Sequence, residues 1–190
     1  MGLQSPWPLL ERMAIPEDVA VLVVNQCPER AEDDLPADID DGRVRMRSFA
    51  ERGLARSRNR ALDLARGEIV LLADADCHLI AEAVPAILGA FESHPDCGVV
   101  SFQYAIDAVD RPAKTYPVRG RDLVRFSIVR VSSVEIALRR SAVGPVRFDE
   151  RFGPGAVHPM GSENVFLAKL GRRGVRMRFE PLMICVHVGA

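Results

Sequence analysis

The chain has 190 residues, 48% of them hydrophobic and 27% charged, which is room for one well-packed domain and excludes a disordered or low-complexity chain. A formal net charge of −1 argues against a general nucleic-acid binder. The four cysteines, Cys27, Cys77, Cys97 and Cys185, form no Cys-x-x-Cys pair, so a zinc ribbon or dithiol motif is unsupported and a reducing, cytoplasmic setting is expected.

The first residues, MGLQSPWPLLERM, lack a basic segment followed by an apolar stretch and do not read as a signal peptide. No run approaches the roughly 18 apolar residues of a membrane span. Trp7, Leu9, Leu10 and Met13 either dock on the domain or touch a membrane surface, and docking is the simpler expectation. Residues 19–24, VAVLVV, form a β-branched run expected to be a buried, parallel strand. Residues 28–42 are polar and read as a loop, and Val44 and Met46 alternate with arginines in a second strand.

Gly53 introduces a helix over residues 54–66, expected to close at Gly67. Residues 68–73, EIVLLA, make another buried strand that runs directly into Asp74-Ala75-Asp76. Leu79, Ile80, Ala83, Val84, Ile87, Leu88 and Phe91 recur at helical spacing, with Pro85 setting the regular helix to begin just before it. Residues 98–102 are a strand, and 104–122, with two prolines, suit a lid or substrate loop. Residues 132–140 read as a strand, with a helix as the alternative. A Gly/Pro-rich loop follows over 148–161. Ser162 is the expected N-cap of a helix closing at Gly174, before final strands at 175–179 and 183–188. Alternating strands and helices predict an α/β fold: a single-domain, open mixed sheet of Rossmann-like type flanked by helices, with ligands beyond the carboxyl ends of the strands.

Asp74 and Asp76 stand at such an end. Two carboxylates one residue apart are costly to bring together without a cation or strong donors, and a divalent ion wants hard oxygen ligands. A solvated pair of loop aspartates would read the same way, so the triplet alone does not decide. Read without further context, His187 is an ordinary residue of an apolar strand and Glu163 a charge complementing a helix N-terminus.

The order of motifs goes further. Gly53, Ser57-Arg58-Asn59, Ala65-Arg66-Gly67-Glu68-Ile69 and Asp74-Ala75-Asp76, then FDERFGPGAVHPMGSENVFLAKLGRRG over 148–174, resemble family 2 glycosyltransferases. The likeness is to a bacterial branch associated with capsule and lipopolysaccharide assembly, and Val23-Val24-Asn25-Gln26 and the stretch 132–140 fit it too. The resemblance implies a GT-A fold with an N-terminal extension over 1–18 and the transferase domain over 19–190. Within that domain, 19–103 would bind nucleotide sugar and 104–190 would carry acceptor and catalytic groups.

It further implies Mn²⁺ or Mg²⁺ at Asp76 and His187, and a donor, expected to be a UDP-sugar, near Asn25, Arg58, Asp74 and Asp76. Glu163 would be the base that deprotonates an acceptor hydroxyl, giving inversion at the sugar carbon. Asp149 and His158 would meet a saccharide or lipid-linked acceptor, with peripheral membrane association open. The sequence departs from the usual Glu-Asp pair at Ser162-Glu163-Asn164, leaving one acid for the task. A non-catalytic domain that binds nucleotide sugar or a partner enzyme is the alternative. A dehalogenase-like phosphatase fits poorly, because Cys77-His78-Leu79 follows the aspartates where a Ser or Thr is needed.

Overall fold

The computed structural model describes residues 2–124 and 128–188. Helix α1 (Trp7–Arg12) comes first, then β1 (Val21–Gln26), β2 (Ile39–Asp40) and β3 (Val44–Phe49). Strand β1 lies parallel to β3, Val21 opposite Val44, and β2 closes the far side antiparallel, giving a three-stranded sheet. The apolar residues of the N-terminus dock here. Leu9, Leu10 and Met13 pack with Val23, Val44 and Met46 in one buried cluster, while Trp7 stays exposed.

Helix α2 (Leu54–Leu64) leads to β4 (Ile69–Leu71) and β5 (Cys77–Leu79). The helix stops before the expected Gly67. Ala65 is extended, and the buried Arg45 side chain donates to the Leu64 carbonyl (2.9 Å), so an arginine from β3 satisfies the helix end. Strand β4 also departs from expectation. It is a half-buried edge strand paired antiparallel to β8 (Ile136–Arg139), because an apolar run does not reveal how many neighbours it has.

Helix α3 (Ala83–Ser93) begins two residues before Pro85. Leu79 belongs to β5, and Leu88 points to solvent at 46% exposure, so the helical stripe is narrower than its sequence spacing suggests. Strand β6 (Cys97–Ile106) runs four residues past the expected end, and β7 (Arg121–Asp122) follows. Between them Tyr116 donates to buried Glu135 (2.5 Å) and Lys114 pairs with it (2.8 Å), bracing the segment expected to be a lid. A short helix, α4 (Arg140–Val143), precedes α5 (Ser162–Arg172). Ser162 is the first helical residue; Gly161, at φ 89°, holds the N-cap position, since a left-handed entry suits glycine. The helix closes at Gly174 (φ 80°), as expected.

The two expected final strands form one, β9 (Arg176–His187), parallel to β6 with register shifts. The larger sheet has order β4-β8-β6-β9-β5, with β7 on β9. One face packs on Leu62 of α2, Phe148 from the segment before α5, and Phe166, Leu167 and Leu170 of α5; another cluster places Ile87 and Phe91 of α3 against Phe102 and Ile184. No helix among the described residues is long and apolar enough to cross a membrane.

Candidate active site

The site begins with two adjacent residues of α2. Asn59 exchanges hydrogen bonds with the backbone of Phe148, accepting from its N–H (2.7 Å) and donating to its carbonyl (3.1 Å). Phe148 then stacks on Phe166 of α5, ring centroids 4.0 Å apart. The start of α5 is thereby fixed against α2 across a long stretch of chain. Arg58 fills the junction, only 5% exposed, with its guanidinium 5.6 Å from the Phe148 ring centre.

Arg58 joins both expected acids. Its Nη1 donates to Glu163 (2.6 Å) and to the Ser162 hydroxyl (3.4 Å), and its Nη2 donates to Asp74 (3.3 Å). The Ser133 hydroxyl donates to the other Asp74 oxygen (3.3 Å). Asp74 thus has a donor on each oxygen, the charged one from Arg58, while a third of its side chain stays exposed. At Glu163, burial pushes the carboxyl pKa up, but Arg58, the first-turn amide and the Ser162 hydroxyl outweigh that and hold it below the ordinary value. Glu163 keeps 18% of its side chain exposed, so it still meets the space outside.

Asp76 and His187 form a second pair. Strand β5 lies antiparallel to the end of β9, and the His187 Nε2 stands 3.2 Å from Asp76 Oδ2. The Asp76 carbonyl accepts from the Val188 N–H (2.9 Å), which fixes the turn. Asp76 is 52% exposed, so a cation held there would keep positions open to a ligand. A carboxylate and an imidazole converging from an exposed turn and a strand end fit a divalent ion.

The remaining expected residues are not drawn into this group. Asn25 is buried, and its amide is spent on Leu3 and Ser48: the oxygen accepts from the Leu3 N–H (2.8 Å), the nitrogen donates to the Leu3 carbonyl (2.9 Å) and to the Ser48 hydroxyl (3.1 Å). Asp149 pairs with Arg151 (2.7 Å), which with the Arg151 backbone amide holds its carboxyl well below the usual range. That makes it a brace of its own turn. His158 is exposed and packs on Phe152, ring centres 4.7 Å apart, in a loop that also exposes Val157 and Met160. Ser133, Ser162 and Cys77 join the two acidic centres without having been singled out for it. Only the Ser-Ser pair at 132–133 offered a signal, since the others depend on long-range register.

A family model described as "Glycosyl transferase family 2" matches residues 9–144. Among solved structures, S. aureus TarS 1–349 in complex with UDP aligns with TM-score 0.66 at 15% identity, covering 97% of this chain and 55% of that one. The same protein in complex with UDP-GlcNAc aligns with TM-score 0.66 at 14% identity, over 97% and 54%. A longer TarS structure gives 0.67 at 15%, over 96% and 33%. The chain therefore shares the GT-A fold of these structures and spans about half the length of TarS 1–349. No curated protein sequence matches it.

Proposed function

The chain belongs to glycosyl transferase family 2, and we propose that it moves a sugar from a nucleoside-diphosphate donor to a hydroxyl acceptor with inversion. The observation that carries this reading is the Arg58 junction, which gathers Asp74 from the end of β4 and Glu163 from the first turn of α5. The donor would lie over Asp74 and Asp76, and a uridine diphosphate sugar is the expected class, in line with the ligands of the TarS structures. Asp76 and His187 would hold Mn²⁺ or Mg²⁺, which when bound offsets the charge that builds on a departing diphosphate. Asn25 could reach a donor only by releasing Leu3.

Glu163 is the proposed base. One of its oxygens is bonded to Arg58, which fixes the carboxylate's direction and keeps it ionised, and the carboxylate would take the acceptor's proton as the hydroxyl oxygen attacks. The saccharide or lipid-linked acceptor would approach beside α5, past the loop carrying His158; Asp149 would act there by shaping that loop. The free, buried state of all four cysteines supports a cytoplasmic setting.

The test is UDP release and sugar transfer from UDP-sugars by the wild type and by Glu163→Gln. The expected result is unchanged UDP affinity and transfer reduced about 10²–10⁴-fold. Equal transfer by both proteins would remove Glu163 from the chemistry. A second reading draws on the same short ion pair: Glu163 committed to Arg58 also suits a domain that binds nucleotide sugar without catalysis. UDP binding without transfer in the wild type would select that reading.

A further inference from the structure

Beside Asp76 and His187 the fold places a third group that could hold a metal ion. Strands β5 and β9 run antiparallel with Cys77 directly opposite His187, so both side chains leave the same face of the sheet. Asp76 immediately precedes Cys77 and turns back to His187. The Cys77 sulfur, an Asp76 oxygen and a His187 ring nitrogen consequently all lie within 4.8 Å of one another. Around a tetrahedral zinc the ligand atoms stand roughly 3.3–3.8 Å apart, so small side-chain adjustments close the set. Cys77 is 1% exposed and forms the inner wall, while Asp76 and His187 leave the outer side open.

The chemistry of this set differs from that of an oxygen-only site. Magnesium takes oxygen ligands and has little use for sulfur, whereas thiolate, imidazole and carboxylate together suit zinc. We propose that Cys77 is a third protein ligand of the Asp76–His187 site, which narrows the ions named for it above by disfavouring Mg²⁺ and favouring thiophilic divalent ions, Zn²⁺ foremost. This rests on the reading that Asp76 and His187 hold a cation. Three protein ligands would leave one position open, the arrangement of catalytic rather than structural zinc sites, and Asp76 and His187 are the exposed members of the set. On metal binding the Cys77 thiol gives up its proton to solvent.

Cobalt reports thiolate ligation by colour. The full chain, kept reduced, is titrated with Co²⁺ and its absorption recorded, alongside Cys77→Ser and the control Cys185→Ser. Cys185 shares the face of Cys77 and its thiol meets that of Cys77, yet it lies outside the three-atom group, so it controls for the nearest other sulfur. The expected result is a near-ultraviolet sulfur-to-cobalt charge-transfer band in the wild type and Cys185→Ser, absent in Cys77→Ser. Zn²⁺ competing for the site should weaken by roughly tenfold or more in Cys77→Ser. A wild type that binds Co²⁺ with visible ligand-field bands but no charge-transfer band overturns the thiolate ligand and leaves Asp76 and His187 standing. A charge-transfer band that survives in Cys77→Ser also overturns it, and absence of any Co²⁺ binding overturns the cation site itself. UDP binding measured on the same samples separates that last outcome from failure of the donor site.

Discussion

Arg58 is the residue on which the site's electrostatics turn. It is nearly buried and holds two carboxylates, so removing it strands both. A fully buried pair broken this way costs ~3–5 kcal/mol, but Asp74 and Glu163 keep some contact with water, which reduces the expected loss to about 2 kcal/mol. Denaturant unfolding of Arg58→Met should show that loss, with Arg58→Lys intermediate, because an ammonium cannot span both acids as the planar fork does. An Arg58→Met protein as stable as the wild type would show that the two carboxylates do not depend on Arg58. Glu163 supplies a pH prediction. Its carboxyl is depressed in the folded protein, so it contributes stability above its unfolded value, and this is lost as pH falls through the folded value. Wild type should therefore exceed Glu163→Gln in stability at neutral pH, with the gap closing below about pH 4. Transfer activity, where it depends on Glu163, should be flat through neutrality and fall only on the acid side.

At the scale of elements, two glycines occupy positions that a larger residue would strain. Gly98 lies in β6 beneath α4, where a Cβ would sit 2.5 Å from Val175 Cγ1 and 2.6 Å from Ala142 Cβ. Gly98→Ala should cost about 1–3 kcal/mol by overpacking. Gly161 enters α5 at φ 89°, and Gly161→Ala should cost about 1–2 kcal/mol and disturb transfer more than UDP binding, since it moves the turn bearing Glu163. The element pattern was legible where local signals sufficed: α2, α5 with its Gly174 stop, and the turn after β4 all lie where the residues place them. Edges were not. Strand β4 is apolar enough for a central strand, yet pairs on one side only, and α2 stops at Leu64 because Arg45, far away in the chain, satisfies its end. The same limit applies to the site. Asp74 and Asp76 stood out by type and spacing, and Arg58 and Glu163 through the resemblance to family 2 glycosyltransferases. That Arg58 joins Asp74 to Glu163, that Asn25 spends its amide on Leu3, and that Cys77 faces His187 are facts of long-range packing and register.

On the scale of the whole molecule, the N-terminal helix is part of the folded core: Leu10 is buried with Val44 and Met46, and Leu10→Ala should cost about 2–5 kcal/mol. Residues from distant parts of the chain meet at the turn that follows β4, where Asp74 pairs with Arg58 of α2 and Asp76 with His187 at the end of β9. The proposed function requires this turn to hold a nucleoside diphosphate with a divalent cation. The measurement that tests it most directly is thermal unfolding with UDP, with and without Mn²⁺, for wild type and Asp76→Asn. A ligand at 100 times its dissociation constant stabilises the native state by about 2.7 kcal/mol. The account predicts a UDP-dependent rise in melting temperature for the wild type only with the cation present, and none for Asp76→Asn. An equal rise in both proteins, or no rise in either, would contradict it.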